Sequence, residues 1–218
     1  MRTTWPVLKH LTFGWNAFVT LLLLFVAVLV AAIGNPARPA GVTAALEQLT
    51  PLAGIIAFSH VMAVDSEERV LELRFSYPPQ RGRLVVERSL PAVGALAATV
   101  AAVTLAARAC HSPVGIGSAL AATLPPAVAL LGLCCYTAVL TGSRLIAAIP
   151  ALLWWGLGLT VTPPGAAGLP AAVQTLTHLY QYSRPLAFVN LPANRTALVL
   201  TGLLFLLAAV RALARREP

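Results

Sequence analysis

Four histidines, three cysteines and seven acidic residues are the side chains of this chain best suited to chemistry, and their spacing builds few sites. His10, His60, His111 and His178 are scattered, with no metal-ligand spacing among them. Cys134 and Cys135 are adjacent inside an apolar run and Cys110 stands alone, so all three read as small, polarizable packing residues. No His-Glu-x-x-His and no Gly-x-Ser-x-Gly occurs. Lys9, between Leu8 and His10, is the only lysine, so the Gly-Lys-Ser/Thr of a nucleotide-binding loop has no counterpart. The chain is expected not to be an enzyme, and to hold no catalytic, cofactor-binding or metal-binding residue of its own.

Two ionisable residues fall inside an apolar stretch, Glu47 and His60. Charge at mid-bilayer costs roughly 2.5–3.5 kcal/mol on insertion scales, so such groups usually face a bundle interior or a water-filled path. Glu47 and His60 are therefore the candidates for lining a pathway. They stand about 20 Å apart along a helix, which puts each near one membrane interface.

The elements that position these residues follow from composition. Of 218 residues, 58% are hydrophobic and 10% charged, against about 25% charged in a soluble domain. So little charge cannot cover a water-facing surface, and the expected fold is all-α: a polytopic bundle of six transmembrane helices with both termini cytoplasmic. The formal charge of +8 does not mark a nucleic-acid binder, because the basic residues are spread among loop ends rather than clustered with aromatics. Arginine in place of lysine, together with abundant alanine, suggests a GC-rich bacterial genome and hence the cell (inner) membrane.

One membrane domain is expected over 1–218. Residues 1–14 are expected to form an interfacial segment carrying Trp5, Leu8, Leu11 and Phe13. The spans are read at 15–33, 46–64, 90–107, 116–140, 145–161 and 196–210, each near the length that crosses a bilayer. Gly94, Ala98, Ala102 and Ala106 make a small-residue stripe on the third span. Pro125-Pro126 predict a kink in the fourth. Trp154 and Trp155 are expected at an interface. Residues 162–195 are too long for a turn and too polar to span; a short non-spanning or re-entrant element is expected there, with a helix over Ala171–Tyr182. Six spans put eleven basic residues on one side (Arg2, Lys9, Arg69, Arg74, Arg81, Arg83, Arg88, Arg144, Arg211, Arg215, Arg216) and four on the other (Arg38, Arg108, Arg184, Arg195). The first side is then cytoplasmic.

The segment 65–88, "DSEERVLELRFSYPPQRGRLVVER", is read as a cytoplasmic loop between the second and third spans. Ser66 is placed to cap a short helix with acidic residues in its first turn, and Pro78-Pro79 ends it. Glu67-Glu68 matches the start of a Glu-Glu-x-x-x-Arg protease signature, but position 72 is Glu. In order, Glu67-Glu68-Arg69, Leu71-Glu72-Leu73, Ser76-Tyr77-Pro78, Gln80-Arg81-Gly82-Arg83 and Arg88 resemble the permease subunits of type-2 ATP-binding-cassette exporters, and "NRTALVL" at 194–200 and the basic C-terminal end are similar too. The sequence departs from that pattern where Val70-Leu71 replaces Gly-Thr and Glu87-Arg88 replaces the lysine before the third span.

The resemblance implies a coupling helix docked on a separate cytoplasmic ATPase through Asp65, Glu67, Glu68, Arg69, Val70, Glu72, Leu73, Arg74 and Tyr77. ATP and Mg would be bound by that partner. It also implies a permease homodimer or heterodimer and export of an amphipathic or hydrophobic substrate. The readings that stay open beside it are a non-transporting assembly or sensor subunit and an intramembrane enzyme.

Overall fold

A computed structural model describes residues 22–23, 25–28, 30, 39–59, 81–110, 113–160, 178–180 and 190–215. Five helices make up most of them: α1 (Pro39–Phe58), α2 (Arg81–Ala109), α3 (Ile116–Thr141), α4 (Arg144–Thr160) and α5 (Leu191–Arg215). No strand occurs among the described residues. Residues 22–23, 25–28 and 30 are helical as well, inside the first apolar run. Arg88–Ala109, Ile116–Thr141 and Leu191–Arg215 are long and apolar enough to cross a membrane, while α1 and α4 are apolar over the shorter stretches Gly41–Ile56 and Leu145–Leu159.

The helix ends show where hydropathy and helix formation part company. α3 and α4 match their apolar runs, because backbone punctuation and loss of hydropathy coincide there. Gly142 adopts φ 67° and its N–H donates to the Ala138 carbonyl, closing α3 with a left-handed residue that glycine tolerates. α4 restarts at Arg144. α2, in contrast, starts at Arg81, so 81–88 is helix rather than the last third of a loop. Charge ends an apolar run, but Arg, Leu and Glu are good helix formers and nothing between Leu84 and Leu90 breaks the backbone. α5 likewise extends beyond 196–210 at both ends. Asn190 caps it, its Oδ1 accepting from the Ala193 N–H at 3.4 Å, and Pro192 sits in the first turn where its missing N–H costs nothing. α1 lies seven residues N-terminal of the second apolar run, Pro39–Phe58 against 46–64. Its Ala-rich first turns favour helix more than their hydropathy suggests. Residues 178–180 are not helical, contrary to the helix expected over 171–182.

α3 is the hub, touching each of the other four helices and most broadly α5. The helices alternate in direction. The start of α2 (Val85), the end of α3 (Ala138, Val139), the start of α4 (Ala147) and the end of α5 (Ala209, Leu213) share one apolar cluster. At the other end Val42 and Leu46 of α1 meet Val103 and Ala107 of α2 and Ala119 of α3, and Val28 joins them. Between the ends, α3 and α5 cross with backbone against backbone: a Cβ on Gly132 would lie 2.5 Å from the Gly202 carbonyl oxygen, and one on Gly202 2.6 Å from that of Val128. Small residues permit such an approach where dispersion must hold helices together in lipid. A further tie between helices is the Thr137 hydroxyl, which donates at 2.8 Å to the Ala147 carbonyl of α4.

The outside of the bundle is apolar. Leu145, Ile146, Ile149, Leu153 and Leu157 of α4 and Leu200, Leu203 and Leu204 of α5 are all more than half exposed. A water-soluble monomer rarely shows apolar patches of this size; facing lipid they carry no penalty. Gly94, Ala98 and Ala102 of the small-residue stripe are on the outside too.

Candidate functional site: a buried charge pair at one end of the bundle

Glu47, Asn194 and Arg195, three of the polar and charged groups that the fold buries, gather at the end where α1 and α5 begin, while Arg88 is buried at the opposite end. Glu47 stands just over two turns into α1, about 12 Å along its axis, and is 0% exposed. Arg195, in the second turn of α5, is 8% exposed. Its Nη2 donates to Glu47 Oε1, an ion pair and hydrogen bond between residues 148 positions apart. Its Nη1 donates to the Leu179 carbonyl at 3.1 Å. A cation near a helix N-terminus opposes the helix dipole, and the carboxylate of Glu47 offsets that as well as the loss of water.

The short non-helical piece 178–180 lies against this pair. Leu179 and Tyr180 are 0% exposed and pack with Ile55, Leu130, Ala151 and Leu198. Asn194 Nδ2 donates to the His178 carbonyl at 2.9 Å. The Tyr180 hydroxyl donates to the Trp155 carbonyl at 2.9 Å, and Trp155 Nε1 donates to the Gln48 carbonyl at 2.9 Å. Two local features shape this seat. Gly158 leaves room for the tyrosine ring, since a Cβ there would come within 2.6 Å of Tyr180 Cε2. Pro51 lies inside α1, and lacks the N–H that the carbonyl four residues earlier, that of Glu47, would accept. The helix ladder is thus interrupted beside the charged residue.

Of the two candidate pathway residues, Glu47 is buried within the bundle and tied to α5, and His60 lies outside the described residues. So do Asp65, Glu67, Glu68, Arg69, Val70, Glu72, Leu73, Arg74 and Tyr77. Arg88, read from the sequence as a loop-end charge, is instead on α2 and only 3% exposed. Sequence reasoning did not place Arg195, Asn194, Trp155 or Tyr180 in a site. Arg195 stood among the outer-loop cations and Trp155 at an interface. A signal was available: in a six-span topology the start of the second span and the start of the last lie at the same depth, where Glu47 and Arg195 carry opposite charge.

An arginine does not give up its proton near neutral pH, so the guanidinium keeps its charge against the Glu47 carboxylate. Among the described residues no three His, Cys, Asp or Glu side chains gather to hold a metal ion. In comparisons with known proteins the chain matches no family model and no curated sequence.

Proposed function

We propose that this chain is the membrane-spanning subunit of an ATP-driven exporter, working as a dimer over two separate cytoplasmic ATPase subunits in a bacterial cell membrane. Six spans with both termini cytoplasmic complete that reading. The observation that carries it is the order of residues in 65–88: an acidic-basic start, a Leu-rich stretch, a proline break and an arginine-rich exit leading to the third span. Two features of the fold support it. The arginine-rich exit is continuous with α2, a single helix of 29 residues, about 43 Å long. A push on 65–80 would therefore enter the bundle along a continuous helix rather than dissipate in a loop, although Pro91 interrupts the hydrogen-bond ladder of that helix. The alternation of the helices also sorts the cations: Arg81, Arg83, Arg88, Arg144, Arg211 and Arg215 belong to one end, Arg108 and Arg195 to the other. The imbalance favours the Arg215 end as cytoplasmic. The Glu47 end then faces outward. The apolar spans favour an amphipathic or hydrophobic cargo.

Association with the ATPase tests the proposal. Co-purification of this chain with an ATPase encoded beside it is expected, and Glu68→Lys or Leu73→Asp should abolish it while leaving the chain in the membrane. Unchanged association and unchanged ATP-dependent transport in both variants would remove the coupling role from the segment. The topology has its own check: single cysteines at positions 80 and 168 should react with an impermeant maleimide from opposite sides of the membrane.

A further inference from the structure

The contacts at the Glu47 end form a closed circuit. Glu47 of α1 pairs with Arg195 of α5. Arg195 donates to the carbonyl of Leu179. The next residue, Tyr180, donates to the carbonyl of Trp155 on α4. Trp155 donates to the carbonyl of Gln48, which adjoins Glu47. Four links therefore join three helices and the segment 178–180, each tying a different pair of elements, and the Asn194–His178 hydrogen bond is a second tie between α5 and that segment.

We propose that this circuit is a clasp that closes the Glu47 end of the bundle and opens as one unit, releasing 178–180 and parting α1 from α4 and α5. The physical reason is burial. Glu47 and Tyr180 are 0% exposed and Gln48 and Trp155 are half-buried, so little solvent stands ready to replace a broken link. A group left unpaired in the interior carries its full desolvation penalty. Opening one link alone is therefore costly, while opening all four admits water to every freed group at once. That makes the arrangement two-state rather than gradual. A buried ion pair is also a poor choice for stability alone, since apolar residues of the same volume often do as well or better. Its best-attested use is to specify one arrangement over another. Pro51 sets the yielding point of α1 next to the charged link, where the backbone ladder already lacks one hydrogen bond. Gly158 supplies a seat that only the closed position of Tyr180 fills.

The clasp itself stands without the exporter reading; only the side from which it opens rests on the topology proposed above. The test uses the full chain in membrane vesicles, with Leu179→Cys as reporter and Cys110→Ser to remove the partly exposed cysteine. Leu179 is 0% exposed, so the reporter should react slowly with a charged, impermeant maleimide. Glu47→Gln weakens the hold on Arg195, which itself donates to the carbonyl of residue 179; Trp155→Phe removes a link that does not touch residue 179. A cooperative clasp predicts that both variants raise the labelling rate about tenfold, the population change equal to about 1.4 kcal/mol. A rise in Glu47→Gln with no change in Trp155→Phe would mean independent bonds and would overturn the clasp, as would no change in either. Trp155→Phe keeps charge and ring packing, so its result does not depend on how the bundle tolerates an unpaired arginine. Labelling from the cytoplasmic side alone would reverse the proposed topology and leave the clasp standing.

Discussion

Glu47→Leu is expected to destabilise the bundle by about 3 kcal/mol, the low end of the cost of breaking a buried ion pair from one side. The variant keeps Arg195 at a site only 8% exposed, with its charge uncompensated. Two effects compete. Polar contacts in membrane proteins average only about 0.6 kcal/mol, because the unfolded chain in lipid also finds partners. Against that, an arginine near a helix end escapes to the interface when it is free to snorkel, and the folded bundle denies it that escape by holding Nη1 on the Leu179 carbonyl. The second effect dominates because it penalises only the folded state.

An asymmetry follows. A carboxylic acid can take up a proton and stay in the interior as a neutral group, whereas a guanidinium cannot discard its charge. Arg195→Leu should therefore cost less than Glu47→Leu, and the double variant should recover much of the loss. Thermal unfolding of the purified chain in nanodiscs, followed by circular dichroism across this double-mutant cycle, measures all three. A single-variant loss below about 0.6 kcal/mol, or simple additivity in the double variant, would show that the pair adds no stability.

The second large effect is expected where α3 and α5 cross. A Cβ on Gly202 meets the Val128 carbonyl oxygen at 2.6 Å and a Val128 side-chain carbon at 2.8 Å. The obstacle is largely backbone, which cannot swing aside, so the helices must separate. Overpacking costs about 1–3 kcal/mol. The gain in helix propensity from glycine to alanine returns about 1 kcal/mol, so Gly202→Ala should be destabilising by up to about 2 kcal/mol and Gly202→Leu by more. Gly94→Ala is the control. It is on the outside of α2 with nothing within 4 Å of the added carbon, and should be neutral or slightly stabilising. The unfolding midpoints of the three variants under one set of conditions settle the matter. Equal midpoints for Gly202→Ala and Gly94→Ala would mean that α3 and α5 do not approach as closely as described.

These two sites differ in how far they could be read without the fold. The second apolar run displayed Glu47 openly, because a lone acid among leucines and alanines stands out by composition. Its partner did not stand out. Arg195 precedes the last apolar run by one residue, a place where a loop-end cation is ordinary. Gly202 shows the same limit from another side. It is one glycine among fifteen, and the chain's conspicuous small-residue pattern, at Gly94, Ala98 and Ala102, proved to be on the outside of α2. Spacing along one helix reveals a stripe but not the neighbour it would meet.

The sequence by itself determined that the chain is helical and apolar, where α3 and α4 begin and end, and that one charged segment interrupts the hydrophobic runs. Each of these rests on local properties: hydropathy summed over a window, or a residue such as Gly142 whose backbone freedom ends a helix in place. The tertiary structure alone decided that Arg88 is buried on α2, that 178–180 is drawn into the bundle, and that Glu47 answers Arg195. The reason is that a charge reads as an end to an apolar run, while in the fold a charge can enter the interior once its partner arrives. That partner came from 148 residues away, a distance over which no window of sequence carries the interaction.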